Sequence, residues 1–417
     1  MKKCLQRLQN VGVWALVTSM MMATVPGKAL AQADLTCATD AIVQAGDTLS
    51  TLASKYYGSL QAYRTILTAT NAKAAIDKSY ATIANPNFID KGWKLCIPGP
   101  LKGKTMVTST TGAQPAVAAV DPFDTLAIPG MRQKSYPGSM ITLEQTLSPG
   151  VNYSRYLTTY RSENLKISAR LTVPTGPKPQ DGWSVIIFNH GYIAPENYND
   201  NSMYTAYEDA FARNGYIVFR PDYRGYGQSE GDAQGGYDAP DYTIDVLNAV
   251  ASIKQYPDAN PDRIGMWGHS LGGYITLRAM VVNGDIKAGV IWAGVVGSLP
   301  DLLAEWSSFS SLLPIQISQW YNGLVAAHGT LQQNPTYWAS ISANNYLADL
   351  SGPLQLHHGT ADIGMPSGLV DALAKQIQRT GQTAEYYPYV GDDHMLSRNF
   401  ASAMQRSVGF FDKYLKT

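Results

Sequence analysis

The feature that most constrains how this chain can fold is the pentapeptide Gly-His-Ser-Leu-Gly at residues 268–272. It stands between residues 263–267, which predict a strand, and residues 272–282, whose apolar side chains recur at helical spacing. A strand that turns at once into a helix leaves little room for side chains beside the turn, which accounts for glycine at both ends of the pentapeptide. Ser270 is therefore predicted to stand on a sharp strand-to-helix turn.

From about residue 121 onward the chain alternates strand and helix patterns. Continuous apolar runs at residues 185–188 and 217–219 are typical of strands that are buried on both faces. Strands are predicted at residues 140–146, 155–160, 166–173, 184–189, 216–220, 263–268, 288–293, 354–358 and 384–390, and helices at 241–255, 272–282, 368–380 and 400–415. The predicted fold class is α/β, with a mostly parallel sheet covered by helices.

A serine on such a turn is a candidate nucleophile, because the turn lifts its hydroxyl to the carboxyl edge of the sheet, at the N-terminus of a helix. The hydroxyl needs a base that takes its proton. Of the 6 histidines, His394 follows the last predicted strand and precedes the final helix. Asp362 follows the penultimate strand, so the chain order Ser270, Asp362, His394 is the one that this arrangement uses.

Two other carboxylates, Asp392 and Asp393, are nearer to the histidine in the sequence. Residues on one loop rarely reach the distal ring nitrogen, so Asp362 is favoured as the acid. Two backbone N–H groups are predicted to stabilise an oxyanion: that of Leu271, directly after the serine, and that of Tyr192, in a loop after an upstream strand. The alternative for that loop is a tight turn without this role. The pattern implies no metal and no organic cofactor.

Short motifs recur in one order along this part of the chain: His-Gly-Tyr at 190–192, Arg-Pro-Asp-Tyr-Arg-Gly-Tyr-Gly at 220–227, the pentapeptide, Asn-Pro at 334–335, Asn-Tyr-Leu at 345–347, Pro353, His-Gly-Thr-Ala-Asp at 358–362 and Asp-His at 393–394. Together they resemble the catalytic domain of the prolyl oligopeptidase family and its esterase relatives, over about residues 180–417. The resemblance implies an α/β-hydrolase sheet with helices on both faces, and a structural pair of Asp222 and Arg224 below the site. Prolyl oligopeptidases carry a long β-propeller before the hydrolase, for which the preceding residues leave no room, so we expect an ester substrate rather than a peptide.

Residues from about 296 to 348 interrupt the alternation with many aromatic side chains, among them Trp306, Trp320 and Trp338. We predict a helical cap here, which supplies one side of the substrate pocket. The alternative is an outer pair of packing helices.

Residues 1–33 have the pattern of a secretory signal peptide, with positive charges at residues 2–7, an apolar stretch at 11–25 and Ala-Gln-Ala at 31–33. The alternative is a membrane anchor, but the apolar stretch is shorter than the roughly 20 residues that a spanning helix needs. We expect an exported protein, secreted or in the cell envelope, without a transmembrane anchor.

Cys37 and Cys96 remain after the signal peptide, an even pair in a compartment where disulfides persist. We predict a disulfide between them, and two free thiols are the alternative. Between them the sequence predicts a strand at 41–43, a helix from residue 49 with Asp47 as its cap, a second helix over about 60–70 that stops near Asn71, and a strand at 92–98.

This order and its motifs, Val-x-x-Gly-Asp-Thr-Leu at 43–49, Asn71 and Gly-x-x-Leu-x-Ile-Pro at 92–98, resemble the LysM domain over about residues 40–98. The resemblance implies a βααβ module that binds glycans containing N-acetylglucosamine, such as peptidoglycan or chitin. It places the sugar between two loops, with Gly46, Asp47, Thr48 and Leu49 on one side and Asn87, Phe88 and Ile89 on the other. Residues 72–86 are longer than the usual connection, so the second loop follows from the resemblance less directly.

The predicted organisation is a signal peptide (1–33), a LysM glycan-binding domain (37–99), a linker rich in small and polar residues (100–122) and an α/β-hydrolase domain (123–417). Lys and Arg balance Asp and Glu at 32 each, so charge does not indicate nucleic acid as a partner. The leading hypothesis is an exported serine hydrolase that cleaves a small carboxylic ester while LysM holds it on cell wall or a chitin-like glycan. The alternatives are a serine peptidase of the prolyl oligopeptidase family and a non-catalytic glycan-binding envelope protein.

Overall fold

The computed structural model describes residues 37–44, 47–57, 63–83, 89–98, 124–198, 203–233, 235–302 and 315–416. The predicted signal peptide and linker lie outside these residues. The chain separates into two compact units, Met1–Met106 and Val107–Thr417.

The small unit has the order strand, helix, helix, strand. Its elements are β1 (Cys37–Ile42), α1 (Leu49–Tyr57), α2 (Tyr63–Ile76) and β2 (Lys94–Pro98). The two strands pair antiparallel, and apolar side chains from all four elements bury one another because each element alone exposes an apolar face. The buried cluster consists of Ala41, Val43, Leu49, Leu52, Ala53, Ile66, Ile83, Leu95 and Ile97.

Thr48, and not Asp47, caps helix α1. Thr51 N donates to Thr48 Oγ1 at 3.0 Å, and Thr48 N donates to Thr51 Oγ1 at 2.8 Å. This reciprocal arrangement satisfies two donors at the helix start, as in a capping box. Asp47 Oδ2 accepts a hydrogen bond from Gln44 N at 2.8 Å, so this carboxylate closes the preceding turn instead.

The prediction that the second helix stops near Asn71 is wrong, because α2 continues to Ile76. The Asn71 side chain donates to Ile83 O at 2.9 Å and accepts from Ile83 N at 2.7 Å. With both polar atoms satisfied by another segment, the side chain does not compete with the helix backbone for hydrogen bonds.

Cys37 and Cys96 form a disulfide, with their Cα atoms 5.2 Å apart. Replacing both by serine should lower the free energy of unfolding of the small unit by about 4 kcal/mol, because the bridge closes a loop with a sequence separation of 59. Limited proteolysis will measure the loss. We expect cleavage within residues 37–98 of the double variant under conditions that leave the wild type intact, and equal resistance would contradict this expectation.

Among the described residues of the large unit, nine strands form one sheet, in the order β11-β10-β9-β8-β6-β7-β5-β4-β3. The strands are β3 (Thr142–Leu147), β4 (Tyr153–Ser162), β5 (Leu165–Pro174), β6 (Trp183–Asn189), β7 (Ile217–Pro221), β8 (Ala259–His269), β9 (Ile286–Trp292), β10 (Leu354–Gly359) and β11 (Ala384–Tyr389). Strands β6 to β11 pair in parallel, whereas β3, β4 and β5 join antiparallel at one side. Strands β3 and β11 are the edges, and the pairing of β3 with β4 shifts register between Leu143 and Gln145.

Helices cover both faces of this sheet, as predicted. They are α3 (Ile128–Gln133), α4 (Thr205–Arg213), α5 (Asp241–Ile253), α6 (Leu271–Val282), α7 (Ile315–His328), α8 (Pro335–Ile341), α9 (Ser367–Arg379) and α10 (Phe400–Leu415). Alternate residues of β6 enter two separate cores: Ile187 packs with α5 and α6, and Ile186 packs with α4 and α10. None of the helices in the described part of the chain has the length and apolar composition of a membrane span.

The described part of the predicted cap contains helices α7 and α8, which are joined by non-helical residues 329–334. Trp338 and Ile341 of α8 are fully buried in the core that also contains α6. Helix α8 therefore contributes to the core of the large unit, and both the cap over the site and its alternative, an outer pair of packing helices, stay predictions. Residues 303–314 lie outside the described residues.

Candidate active site

Ser270 stands on a strained turn between β8 and α6. Its backbone has φ 54° and ψ −118°, a conformation that residues with a side chain rarely adopt. A Cβ at Gly268 would lie 2.2 Å from Gly272 O, and one at Gly272 would lie 2.0 Å from Asn189 O. Both positions therefore require glycine, because backbone oxygen atoms lie too close for any side chain. This is the reason that the sequence analysis predicted.

His394 and Asp362 meet at the carboxyl edge of the same sheet. His394 Nδ1 lies 2.6 Å from Asp362 Oδ2, and the aspartate side chain is fully buried. Asp362 Oδ1 accepts hydrogen bonds from Gly364 N at 2.8 Å and Met365 N at 3.0 Å. This leaves Nε2 of His394 as the ring atom that can exchange a proton with a reacting group.

These contacts stabilise the ionised form of Asp362. Burial raises the pKa of its carboxyl, but the hydrogen bonds from His394 and from Gly364 N more than offset burial, so the pKa lies below its ordinary value. The carboxylate is thus ionised whenever an imidazolium forms beside it, as an acid that stabilises a catalytic base must be.

The two carboxylates next to the histidine in the sequence have other partners. Asp392 accepts hydrogen bonds from Arg398 N at 3.1 Å and Asn399 N at 3.0 Å. Asp393 Oδ1 accepts from Met395 N and Ser397 N, both at 3.0 Å. The structure therefore brings Asp362 to the ring and engages Asp392 and Asp393 in the turns that lead into α10.

Among the described residues no hydrogen bond joins Ser270 Oγ to the ring of His394, but the residue before the serine contacts the loop of the base: His269 Nε2 lies 3.0 Å from His394 O. The ring of His269, the residue before the serine, is centred 4.7 Å from the ring of His394. In unliganded enzymes the contact between nucleophile and base is often long and tightens when substrate binds.

One predicted oxyanion donor directly follows the serine, and the other belongs to a loop that approaches it. Leu271 is the first residue of α6, so its N–H has no partner within the helix. An ideal Cβ on Gly191 would lie 3.2 Å from Ser270 Cβ, so the loop carrying Tyr192 lies directly against the nucleophile. Neither the Leu271 N–H nor the Tyr192 N–H donates to another group within the part of the chain that the structure describes.

The other buried histidines are held neutral. Burial lowers the pKa of His190, His269 and His357 to about 3 each.

His358 has a role that the sequence did not indicate. Its Nε2 lies 2.7 Å from Met365 O and 3.4 Å from Asp362 Oδ2, so it supports the turn that holds the acid. The sequence feature that could have indicated this role is its position, four residues before Asp362 at the end of β10.

Asp222 and Arg224 have structural partners, in keeping with the expectation that they are not catalytic, but they do not pair with each other. Arg224 Nη2 lies 2.7 Å from Asp245 Oδ1 and 3.0 Å from Glu163 Oε2, and Nη1 contacts Asp241. Asp222 instead accepts a hydrogen bond from the Tyr198 hydroxyl. Tyr223 stands between them with a φ of 58°, and the two residues have partners in different parts of the chain.

Of the predicted sugar-binding residues, Gly46, Asn87 and Phe88 lie outside the described residues. Leu49 is 2% exposed and belongs to the core of the small unit. Asp47 and Thr48 make the turn and cap described above, and Ile89 packs against the same core. The predicted sugar-binding residues that the structure describes thus have structural roles, and their contact with sugar stays a prediction.

Acid should destabilise the large unit through the loop that carries the base. Burial raises the pKa of Asp392, but hydrogen bonds from Asn399 and Arg398 leave it below the ordinary value of 3.8, and hydrogen bonds from Ser397 lower the pKa of Asp393. Groups with a lowered pKa contribute stability that is present above their ordinary value and is lost as pH falls through the folded value. The free energy of unfolding should therefore drop between about pH 5 and pH 2. Denaturant unfolding at several pH values will measure the drop, which should be smaller in Asp392→Asn; an equal drop would contradict the assignment to Asp392.

Comparison with known proteins agrees with this geometry. The sequence profile of the prolyl oligopeptidase family matches residues 202–417, more than half of the chain. YtmA of Bacillus subtilis (strain 168), described as an uncharacterized peptidase, is 25% identical over 247 residues, which are 57% of this chain and 86% of YtmA. The chain spans 86%, 27% and 64% of the lengths of the first three curated relatives that it matches.

Two solved structures share the fold. An acetyl xylan esterase from Paenibacillus sp. R4 superposes with a TM-score of 0.55 at 19% identity, covering 72% of this chain and 97% of the esterase. A Mycobacterium tuberculosis puromycin-hydrolyzing peptidase superposes with a TM-score of 0.51 at 19% identity, covering 64% of this chain and 40% of the peptidase. At such identities the likeness shows the fold alone, and the predicted α/β-hydrolase class is thereby confirmed.

Proposed function

The chain is a serine hydrolase that belongs to the prolyl oligopeptidase family, and on that premise we propose that it cleaves carboxylic esters through an acyl-enzyme on Ser270. The observation that carries this proposal is the 2.6 Å contact of His394 Nδ1 with the buried Asp362 carboxylate, beside a serine on a strained turn. Nucleophile, base and acid come from three loops at one edge of the sheet, in the arrangement that serine hydrolases use.

In the proposed reaction Ser270 Oγ attacks the acyl carbon while His394 Nε2 takes the hydroxyl proton. The tetrahedral intermediate collapses, and the alcohol leaves with that proton from His394. Water then attacks the acyl-enzyme, with His394 again as base, and the carboxylic acid is released. Asp362 keeps the ring proton on Nδ1 and stabilises the imidazolium in both halves.

The oxyanion that forms in each half needs donors that are already in place, because reorganisation during the reaction would cost rate. The N–H groups of Leu271 and Tyr192 fit this role. Leu271 directly follows Ser270, the loop that carries Tyr192 approaches Ser270 at Gly191, and neither N–H donates to another group among the described residues.

We propose the ester first because the fold shared with the acetyl xylan esterase accounts for 97% of that enzyme's length, whereas the fold shared with the peptidase accounts for 40% of its length, so most of the peptidase has no counterpart in the match. A peptidase activity is the second candidate, supported by the family itself and by the description of YtmA. The test compares release of acid from alkyl esters of increasing acyl length with cleavage of aminoacyl p-nitroanilides. We expect turnover of the esters alone, and efficient cleavage of the anilides would replace the proposal by the second candidate.

A fluorophosphonate reagent tests the nucleophile directly, whichever bond is cut. Ser270 should be the labelled residue, identified by mass spectrometry of the modified peptide. Absence of labelling would favour the third hypothesis, a glycan-binding protein without catalytic activity.

For the small unit we propose glycan binding of the LysM kind, outside the cytoplasm. The βααβ order and the Cys37–Cys96 disulfide support this, since disulfides persist in oxidising compartments. The full chain should sediment with insoluble peptidoglycan or chitin but not with cellulose, and soluble N-acetylglucosamine oligomers should compete. Equal retention on all three solids would contradict the proposal.

A further inference from the structure

Two buried side chains that the proposed mechanism does not use, Tyr204 and His269, lie beside the nucleophile. Both are 2% exposed. His269 Nδ1 lies 2.8 Å from the Tyr204 hydroxyl, and His269 Nε2 lies 3.0 Å from the main-chain oxygen of His394. The Tyr204 hydroxyl accepts a hydrogen bond from Gly191 N at 2.9 Å. A continuous row of contacts therefore joins the loop at 190–192 to the loop that carries the base.

The groups at the two ends of this row fix the direction of every hydrogen bond. A carbonyl oxygen only accepts, so the proton of His269 must be on Nε2, where it is donated to the oxygen of His394. Burial lowers the pKa of His269 to about 3, so the ring is neutral and Nδ1 carries a lone pair. The Tyr204 hydroxyl then donates to Nδ1, while its oxygen accepts from Gly191 N.

The packing around these groups allows little movement. The Tyr204 ring lies among aromatic neighbours, with its centroid 5.5 Å from Phe188 and 6.3 Å from Trp267. An ideal Cβ on Gly191 would lie 2.8 Å from the Tyr204 hydroxyl and 3.1 Å from His269 Nδ1. Only glycine fits there without a shift, so the loop approaches both side chains closely while Gly191 N donates to the Tyr204 hydroxyl.

We propose that Tyr204 and His269 are positioning residues for acyl transfer. Through hydrogen bonds they connect the loop that carries the Tyr192 N–H with the loop that carries His394. The link between the two loops is the neutral imidazole of His269, which has one fixed tautomer and lies next to the nucleophile. The inference rests on the proposed function, because it takes those loops to hold an oxyanion donor and the base. A displacement of about 1 Å at either group can cost about a hundredfold in rate.

The experiment measures, for each variant, the rate of phosphonylation of Ser270 by a fluorophosphonate, kcat and KM for a short p-nitrophenyl ester, and the folded fraction. Tyr204→Phe should lower the labelling rate and kcat by about 10- to 100-fold with little change in KM. Tyr160→Phe is the matched control, because Tyr160 lies on β4 and its buried hydroxyl donates to the main-chain oxygen of Asp245, on α5, at 2.8 Å. This variant should leave the labelling rate, kcat and KM unchanged.

Two variants of His269 separate the two ends of the row. His269→Asn can still accept from Tyr204 near the Nδ1 position, and His269→Gln can still donate to His394 O near the Nε2 position. Each should retain more rate than His269→Leu, which does neither. These variants decide the question if Tyr204→Phe fails to fold.

The possible failures can be told apart. Rates per folded molecule that stay at the wild-type level in Tyr204→Phe and His269→Leu would overturn the positioning role alone, because a merely structural role changes stability and not these rates. A wild-type protein that the reagent does not label would overturn the proposed function, and this inference with it.

Discussion

Replacing Ser270 by alanine should lower kcat for a short p-nitrophenyl ester by about 10⁶-fold. The reason is that Oγ is the atom that forms the acyl-enzyme, and no other group in the proposed mechanism can replace it. The variant keeps the backbone and Cβ of the strained turn, so the fold should be unaffected. Steady-state kinetics of purified protein, with the folded fraction from circular dichroism, will measure the effect.

Ser184→Ala provides the control for this experiment. Ser184 is also a buried serine of the large unit, and its hydroxyl donates to Leu415 O at 2.7 Å. It lies near the start of β6, at the end of the strand opposite the site, so kcat should be unchanged. Retention of substantial ester hydrolysis in Ser270→Ala would remove the serine from the mechanism.

Asp362→Asn should lower kcat by about 10⁴-fold, although the substitution changes only one atom of the side chain. The positions of the backbone donors give the reason. Gly364 N and Met365 N both donate to Oδ1, so the amide oxygen of asparagine must take that place. Its NH₂ group then faces His394 Nδ1, which must become an acceptor. The ring proton moves to Nε2, where it prevents the ring from accepting the proton of Ser270.

Asp392→Asn is the matched comparison, since Asp392 is the rival carboxylate beside the histidine. It accepts backbone hydrogen bonds at the start of α10 and makes none with the ring among the described residues. Its loss should reduce the free energy of unfolding and leave kcat within about tenfold of the wild type. If Asp392→Asn impaired kcat more than Asp362→Asn, the acid would have been assigned to the wrong residue.

The sequence was most informative where the local pattern determines the structure. The turn around Ser270 follows from two glycines between a strand and a helix, and the nine predicted strands match those observed within a few residues. The pairing of His394 with Asp362 could also be predicted from the sequence, because residues that follow neighbouring strands of a parallel sheet lie at the same edge.

Other features depend on which distant segment contacts a side chain, and the local sequence pattern does not contain that information. Arg224 lies two residues from Asp222 but pairs with acids up to 61 positions away, as with Glu163. Asn71 extends α2 because Ile83 satisfies its side chain. Nothing around Tyr204 in the sequence marks it as a partner of His269, since only the folded sheet brings the residues together.

The edges of the large sheet have a consequence for how copies of the protein behave together. Strand β3 is mostly exposed, and its register shift between Leu143 and Gln145 breaks the regular row of backbone donors and acceptors. At the other edge, Pro388 within β11 has no N–H to offer. Edge strands that are interrupted in this way are poor templates for a strand from a neighbouring molecule. Many copies at high local concentration should therefore remain separate and not join their sheets into larger assemblies.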